Sequence, residues 1–328
     1  LAYILNDSQS KFLIVENDEQ LHKFLEIREQ ATSIKKVIVF ERKGLRSLED
    51  DQVIFLDELY LLGQNADNAL ERFSSYIDQS TANDIRTLIY TSGTPGDPKG
   101  AILTHANTLF EMKTSIEVIE ILPTDEQLCF LPLCHVLERL ISVDLPIHRG
   151  CIVNFAESTE TVFENMKEVS PDTFTAVPRL WEKMYASISN MRSDASAVNV
   201  WAFDQALKAG HDYADMTMAG KKPTTGQRLR YQFWDKLVLR KIRDLIGMTN
   251  VRRATTGAAP ISLDIIRWFH AIGVPIYEGY GMTESAGVIS VNTPQEQRPG
   301  SVGKALPDTE VRIADNGEIL VKGGNVFA

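Results

Sequence analysis

The chain has 328 residues, a formal net charge of −10, 44% hydrophobic residues and 24% charged residues. This composition excludes a disordered or collagen-like chain, and the acidic balance argues against a general nucleic-acid binder. No run of about 18 uncharged apolar residues marks a transmembrane helix. Asp7 and Lys11 interrupt the first apolar residues, so the start does not read as a signal peptide. Cys129, Cys134 and Cys151 have no metal-ligand spacing and read as buried free thiols of a reducing compartment.

Taken in chain order, short β-branched runs alternate with helical patterns. Strands are predicted over 12–15 and 37–40, with a helix over 19–29 between them. A strand over 85–90 leads into a Gly/Pro turn and then a helix from about Thr104. Strands over 128–131, 151–155 and 173–177 are each followed by a helical stretch, and strands over 253–256 and 274–277 continue the alternation. Such alternation implies parallel sheets covered by helices. Runs at 310–313 and 318–321 flank Ala314-Asp315-Asn316-Gly317, a hairpin signal. The expected fold is α/β, with stacked mostly parallel sheets covered by helices and a small antiparallel β unit at the C-terminal end.

A helical insert over about 182–250 breaks the alternation. Residues 221–253 hold ten basic residues against Asp235 and Asp244 alone. Leu229, Phe233, Leu237, Ile242 and Leu245 recur three to five apart among those bases, which predicts a basic amphipathic helix over 228–246. The bland reading packs its apolar stripe on the body and solvates the charges. The alternatives are a peripheral membrane contact or a dock for a phosphorylated cofactor.

Four segments carry candidate chemistry. Tyr90-Thr91-Ser92-Gly93-Thr94-Pro95-Gly96-Asp97-Pro98-Lys99-Gly100 follows a strand and combines glycines, hydroxyls and one ammonium group, the components of a triphosphate cradle. Its spacing is not that of a Walker A loop, which requires a glycine directly before the lysine and Ser or Thr after it. Tyr277-Glu278-Gly279-Tyr280-Gly281-Met282-Thr283-Glu284 offers an aromatic ring between glycines, a hydroxyl for a phosphate oxygen and a carboxylate suited to Mg²⁺. Thr255-Thr256-Gly257-Ala258-Ala259-Pro260 would let a flat ligand lie on the backbone. His135, in Leu131-Pro132-Leu133-Cys134-His135-Val136-Leu137-Glu138-Arg139, lies between a strand end and a helix, with no nucleophile set or histidine cluster beside it. A tight surface turn, a core tyrosine and a structural histidine are the alternative readings of these segments.

Together these segments resemble the signatures of the adenylate-forming superfamily, which includes acyl-CoA synthetases, luciferases and peptide-synthetase adenylation domains. Gly300-Ser301-Val302-Gly303-Lys304 and Gly317-Glu318-Ile319-Leu320-Val321-Lys322-Gly323 resemble the stretch that follows in that family. The 131–139 block and the helical insert resemble the long-chain fatty-acid–CoA ligase branch. The resemblance implies ATP-dependent activation of a long-chain fatty acid through acyl-AMP, then transfer to coenzyme A. It implies that Thr91, Ser92, Gly93, Thr94, Gly96 and Lys99 hold the phosphates, and that Thr91 and Glu284 flank Mg²⁺. It places adenine between Tyr280 and the backbone of Gly257, Ala258 and Ala259, with Glu278, Gly279 and Gly281 around it. Thr283 would contact the α-phosphate, and His135 would line the junction of acyl chain and CoA.

Pro95 departs from the family loop by removing a hydroxyl and a backbone N–H. The implied organisation is an α/β body over 1–300 and the start of a β unit over 301–328. The ribose-binding segment and the domain bearing the catalytic lysine would lie beyond Ala328, so the 328-residue chain alone is expected to be inactive. The other classes considered are a catalytically silent nucleotide-binding module and a fatty-acyl-AMP ligase that loads a carrier protein. The expected partners are fatty acid, ATP and CoA. The expected location is the cytoplasm, with a peripheral contact at the inner membrane face.

Overall fold

The computed structural model describes residues 1–91 and 96–328. It contains two compact units, Leu1–Ile102 and Leu103–Ala328. In the N-terminal unit, β1 (Phe12–Val15), β2 (Lys36–Val39) and β3 (Val53–Phe55) form a parallel sheet. Helix Asp18–Leu25 starts where the Asn17 side chain accepts the Gln20 N–H, and it buries Leu21 and Phe24 against Val37 and Val39. β4 (Ile85–Thr91) and β5 (Lys99–Thr104) pair with each other. β5 is a departure from the predicted turn-to-helix passage. Ala101 and Leu103 alternate inward, so a strand intervenes before Thr104 caps helix His105–Val118.

The C-terminal unit is built on a seven-stranded sheet ordered β12-β11-β10-β9-β8-β6-β7. Here β6 is Glu126–Cys129, β7 Ile152–Phe155, β8 Thr173–Ala176, β9 Arg253–Thr256 and β10 Ile276–Tyr280. The strands β7, β6, β8, β9 and β10 run parallel, whereas β11 (Ser290–Val291) and β12 (Lys304–Ala305) are antiparallel additions at one edge. β13 (Glu310–Ile313) and β14 (Ile319–Lys322) form a separate hairpin in the register Val311 opposite Val321. The fold is therefore α/β with a small antiparallel β pair at the C-terminal end, as expected.

Between β8 and β9 the chain forms helices Pro178–Ser193, Ala197–Met218, Thr225–Trp234 and Arg240–Leu245, with a π-helical stretch Asp235–Leu239. Their inner faces and helix Leu263–Ala271 bury a core containing Phe174, Trp181, Met184, Leu239, Ile242 and Phe269. Trp181 stands edge-on to both Phe174 and Phe269, and its indole N–H donates to the Ala176 carbonyl at 3.2 Å. Gly210 lets two helices meet: a Cβ there would come within 2.2 Å of the Ala271 carbonyl oxygen.

Of the stripe predicted for the basic helix, only Ile242 packs inward. Leu229 and Phe233 are 61% and 60% exposed, and Leu237 and Leu245 are also exposed, whereas Leu239 and Ile242 are buried. Leu229 and Phe233 lie on the preceding α-helix Thr225–Trp234, which buries no residue fully, and the wider turn of the π-helical stretch re-phases only the residues after it, among them the buried Leu239 and Ile242. Arg243, counted among the surface charges, is turned inward: it donates to Asp235 and to the Ile272 carbonyl, each at 2.6 Å. The cysteines also differ from expectation. All are free, but Cys134 is exposed and Cys151 only half-buried, because both follow strand or helix ends rather than lying in the core.

Candidate adenylate site

In open parallel sheets, ligands bind beyond the carboxyl ends of the strands. The C-terminal unit has a cavity of about 250 Å³ there. Its upper wall is the run Thr255–Ala258 at the end of β9 and the run Gly279–Thr283 that ends β10. His135 borders it from the loop after β6. Its floor is apolar: Leu137, Leu140, Ile141, Leu145, Val288 and Val291. A smaller cavity of about 80 Å³ shares His135, Thr175, Gly257 and Ala258.

The glycines of this wall have steric reasons. A Cβ on Gly281 would lie 1.7 Å from the Gly287 carbonyl oxygen, so the turn into the short helix Thr283–Ser285 closes only with glycine. A Cβ on Gly257 would come within 3.1 Å of the Gly279 carbonyl oxygen, so the two backbone runs lie close together. This side-chain-free surface suits a flat base. Polar atoms border it as well. The hydroxyls of Thr175 and Thr255 bond each other at 2.6 Å, and the buried Thr256 hydroxyl lacks a partner among the described residues.

Nδ1 of His135 accepts the Leu137 N–H at 3.2 Å, which caps helix Val136–Arg139. With Nδ1 engaged as an acceptor, the neutral ring carries its proton on Nε2. Glu284 stands half-buried in the Thr283–Ser285 turn, and its backbone oxygen accepts the Phe327 N–H at 2.9 Å. The Glu278 carboxylate accepts the Gly300 N–H at 2.8 Å, and burial raises its pKa. The described residues contain no group of three His, Cys, Asp or Glu side chains arranged to hold a metal ion. A lone carboxylate such as Glu284 nonetheless suits Mg²⁺, which keeps waters and takes phosphate oxygens as ligands.

His135, Gly257, Ala258, Gly279, Tyr280, Gly281 and Thr283 thus border one cavity, whereas Ala259, Glu278 and Glu284 do not line it. Thr91 ends β4, Gly96 adopts φ +127°, and Lys99 opens β5 with an exposed side chain, all in the N-terminal unit. Ser92, Gly93 and Thr94, with Pro95, lie outside the described residues. Sequence reasoning missed Ser115, Thr175 and the apolar floor. Ser115 and the floor leucines carry only the helical periodicity of ordinary core residues.

The family model described as AMP-binding enzyme matches residues 1–328. The chain belongs to the AMP-binding enzyme family. Among curated relatives of this AMP-binding chain, a protein named long-chain-fatty-acid–CoA ligase FadD15 from Mycobacterium bovis is 31% identical over 330 aligned positions. That alignment covers 100% of this chain and 52% of the relative. A putative fatty-acid–CoA ligase fadD11 from Mycobacterium tuberculosis is 37% identical across 73% of this chain and 42% of its own length. The chain therefore spans about half the length of the curated relatives it matches. Among solved structures, the anthranilate CoA ligase AuaEII in complex with anthranoyl-AMP superposes with a TM-score of 0.65 at 18% identity, over 99% of this chain and 53% of that one. A long-chain-fatty-acid-CoA ligase from Archaeoglobus fulgidus gives a TM-score of 0.59 at 18% identity, over 99% and 55%. These structural likenesses speak to the AMP-binding fold.

Proposed function

We propose that the protein of which this chain forms part activates a long-chain fatty acid with ATP and passes the acyl group to coenzyme A. The carboxylate attacks the α-phosphorus, pyrophosphate leaves, and the CoA thiol then displaces AMP from the acyl-AMP. The observation that carries this reading is one cavity with a glycine-backed, hydroxyl-bordered wall and an apolar floor. Such a cavity can seat a polar mixed anhydride at one end and a hydrocarbon chain at the other.

In this reading adenine lies against Tyr280 and the Gly257–Ala258 backbone, and Thr283 contacts the α-phosphate. His135 offers its Nε2–H at the junction of acyl group and thiol. Glu284 supplies a hard oxygen ligand for Mg²⁺, whose charge would stabilise the phosphate oxygens. In the N-terminal unit, Lys99 is the cation of the phosphate loop.

The test is fatty-acid-dependent ATP–pyrophosphate exchange by the full-length protein across chain lengths, beside Leu140→Trp. The added ring fills the floor, so the variant should lose long chains at least about tenfold more than short ones, about 1.4 kcal/mol of discrimination. Equal loss for all lengths would remove the floor from the acyl site.

We also propose that the exposed face of the helical insert meets an anionic lipid surface. Trp201, Leu229, Phe233 and Leu237 are exposed, and Lys236, Arg240 and Lys241 are exposed among them. Aromatic and aliphatic residues beside bases suit a shallow seat at the headgroup level. No described helix is long and apolar enough to cross a membrane.

A further inference from the structure

A carboxyl group to which the proposed chemistry assigns no role lies behind the site loop. Glu111, on helix His105–Val118, is fully buried. Its Oε1 accepts the Val288 N–H at 2.9 Å and the Ser115 hydroxyl at 3.3 Å. Its Oε2 lies 3.5 Å from Nδ2 of Asn325, which is equally buried and also reaches the Val288 carbonyl at 3.4 Å. One helical turn earlier, the Asn107 amide donates to the carbonyls of Gly324 and Val326, both at 2.9 Å. The Phe327 N–H in turn donates to the backbone oxygen of Glu284. Helix, site loop and the 324–327 segment therefore meet at Glu111.

We infer that Glu111 is a positioning residue that seats the 282–288 loop, and with it Thr283 and Glu284, by holding Val288 from behind. The inference rests on the proposed reading of that loop as part of the nucleotide site. The Val288 N–H is directed at this fully buried carboxyl, and losing that acceptor would leave a backbone donor unpaired. A Cβ on Gly287 would come within 3.0 Å of Leu140 and 3.6 Å of Glu111 Oε1, so the loop packs closely on both side chains at this glycine.

Burial pushes the Glu111 carboxyl up to about 8, which leaves it neutral at pH 7; its hydrogen bonds from Val288, Ser115 and Asn325 pull the other way. Those donors are all uncharged. The titratable side chains on the elements around it are His105, Lys113 and Glu117 of its own helix, Glu138, Arg139 and Asp144 of the 136–144 segment, and Glu284 of the loop. A neutral carboxyl is a donor as well as an acceptor, and the buried Oδ1 of Asn325 lacks a donor among the described residues. Ionisation above about pH 8 would remove that donor and place an uncompensated charge under the loop.

The test compares amide hydrogen exchange at Val288 and kinetics in the full-length protein. Glu111→Leu should accelerate Val288 exchange at least about tenfold, whereas Glu111→Gln, neutral and of the same shape, should keep it protected. The KM for ATP should rise in the leucine variant and stay near wild type in the glutamine variant. Above pH 8 the wild type should lose protection at Val288 beyond the intrinsic base-catalysed rate, and the glutamine variant should not. If leucine proves too disruptive to fold, Asn325→Ala tests the same seat from the other side. Unchanged Val288 protection in the leucine or alanine variant, or identical alkaline behaviour of wild type and Glu111→Gln, would overturn the inference. Absence of acyl-AMP formation by the wild type would instead overturn the functional reading, since exchange at Val288 is measured without substrate.

Discussion

Lys99 opens β5 with its side chain in solvent, and two residues on, Ala101 is buried. The strand therefore fixes where the ammonium stem starts while leaving the charge free for an anion. Lys99→Ala in the full-length protein should lower kcat/KM for ATP at least about tenfold, about 1.4 kcal/mol. Its fold stability should move by no more than about 0.5 kcal/mol, because the side chain is exposed. Wild-type kinetics in this variant would remove Lys99 from the phosphate loop's work. The residues that build the wall of the cavity announced themselves in the sequence because their chemistry is unusual for a strand end: glycines around Tyr280, small residues at 257 and 258, a hydroxyl at Thr283. Leu140, Val288 and Glu111 did not. A leucine facing a cavity and a leucine facing the core have the same spacing, and a glutamate on a helix reads as solvated until its neighbours are known.

At the scale of elements, legibility followed pattern strength. The predicted bounds of β1 and β9 coincide with the observed ones because each run is short and unbroken. β10 was expected over 274–277 but spans Ile276–Tyr280, since Gly279 reads as a turn residue. In the sheet that glycine has a packing role: a Cβ there would come within 3.3 Å of the Ser290 carbonyl oxygen on the neighbouring strand. β3 was too short to register, and β5 was hidden by the glycines and prolines before it. The basic helix was legible as a helix but not in its facing, because apolar residues at helical spacing look the same whether or not anything packs on them, and Leu229 and Phe233 are left exposed. Its corrected face carries a specific expectation. Replacing Lys236, Arg240 and Lys241 by Glu should weaken co-sedimentation with phosphatidylserine vesicles by at least about tenfold, since each base near an anionic surface contributes about 1 kcal/mol. Reversing Arg243 should instead destabilise the fold, because it is held by Asp235 and the Ile272 carbonyl. Undiminished vesicle binding by the triple variant would leave the face merely solvated.

At the scale of the whole molecule, the tryptophans permit one unit to be watched alone. All four, Trp181, Trp201, Trp234 and Trp268, lie in the C-terminal unit. Its buried ionisable groups tilt stability with pH in opposite directions. His270 lies edge-on to Tyr277 with Nε2 2.9 Å from the Ile276 carbonyl oxygen, and burial lowers its pKa. His211 is lowered by burial and then by Arg267, and its Nδ1 is buried without a partner among the described residues. The unfolded chain takes up protons at these imidazoles near 6.5 while the folded chain resists, so their contribution is lost as pH falls below 6.5. Glu111 acts in the opposite sense. Unfolded, it releases its proton near 4.5; folded, it holds it to about 8, so stability falls as pH rises between those values and levels off above them. Each group contributes a slope of at most about 1.4 kcal/mol per pH unit within its window. Urea unfolding followed by tryptophan fluorescence should show Glu111→Gln losing the decline between pH 4.5 and 8 relative to wild type. His270→Gln should flatten the acid limb below 6.5 without changing the alkaline one. Parallel stability curves for wild type and Glu111→Gln across that range would show that the carboxyl is ionised in the folded protein, and that burial does not hold its proton.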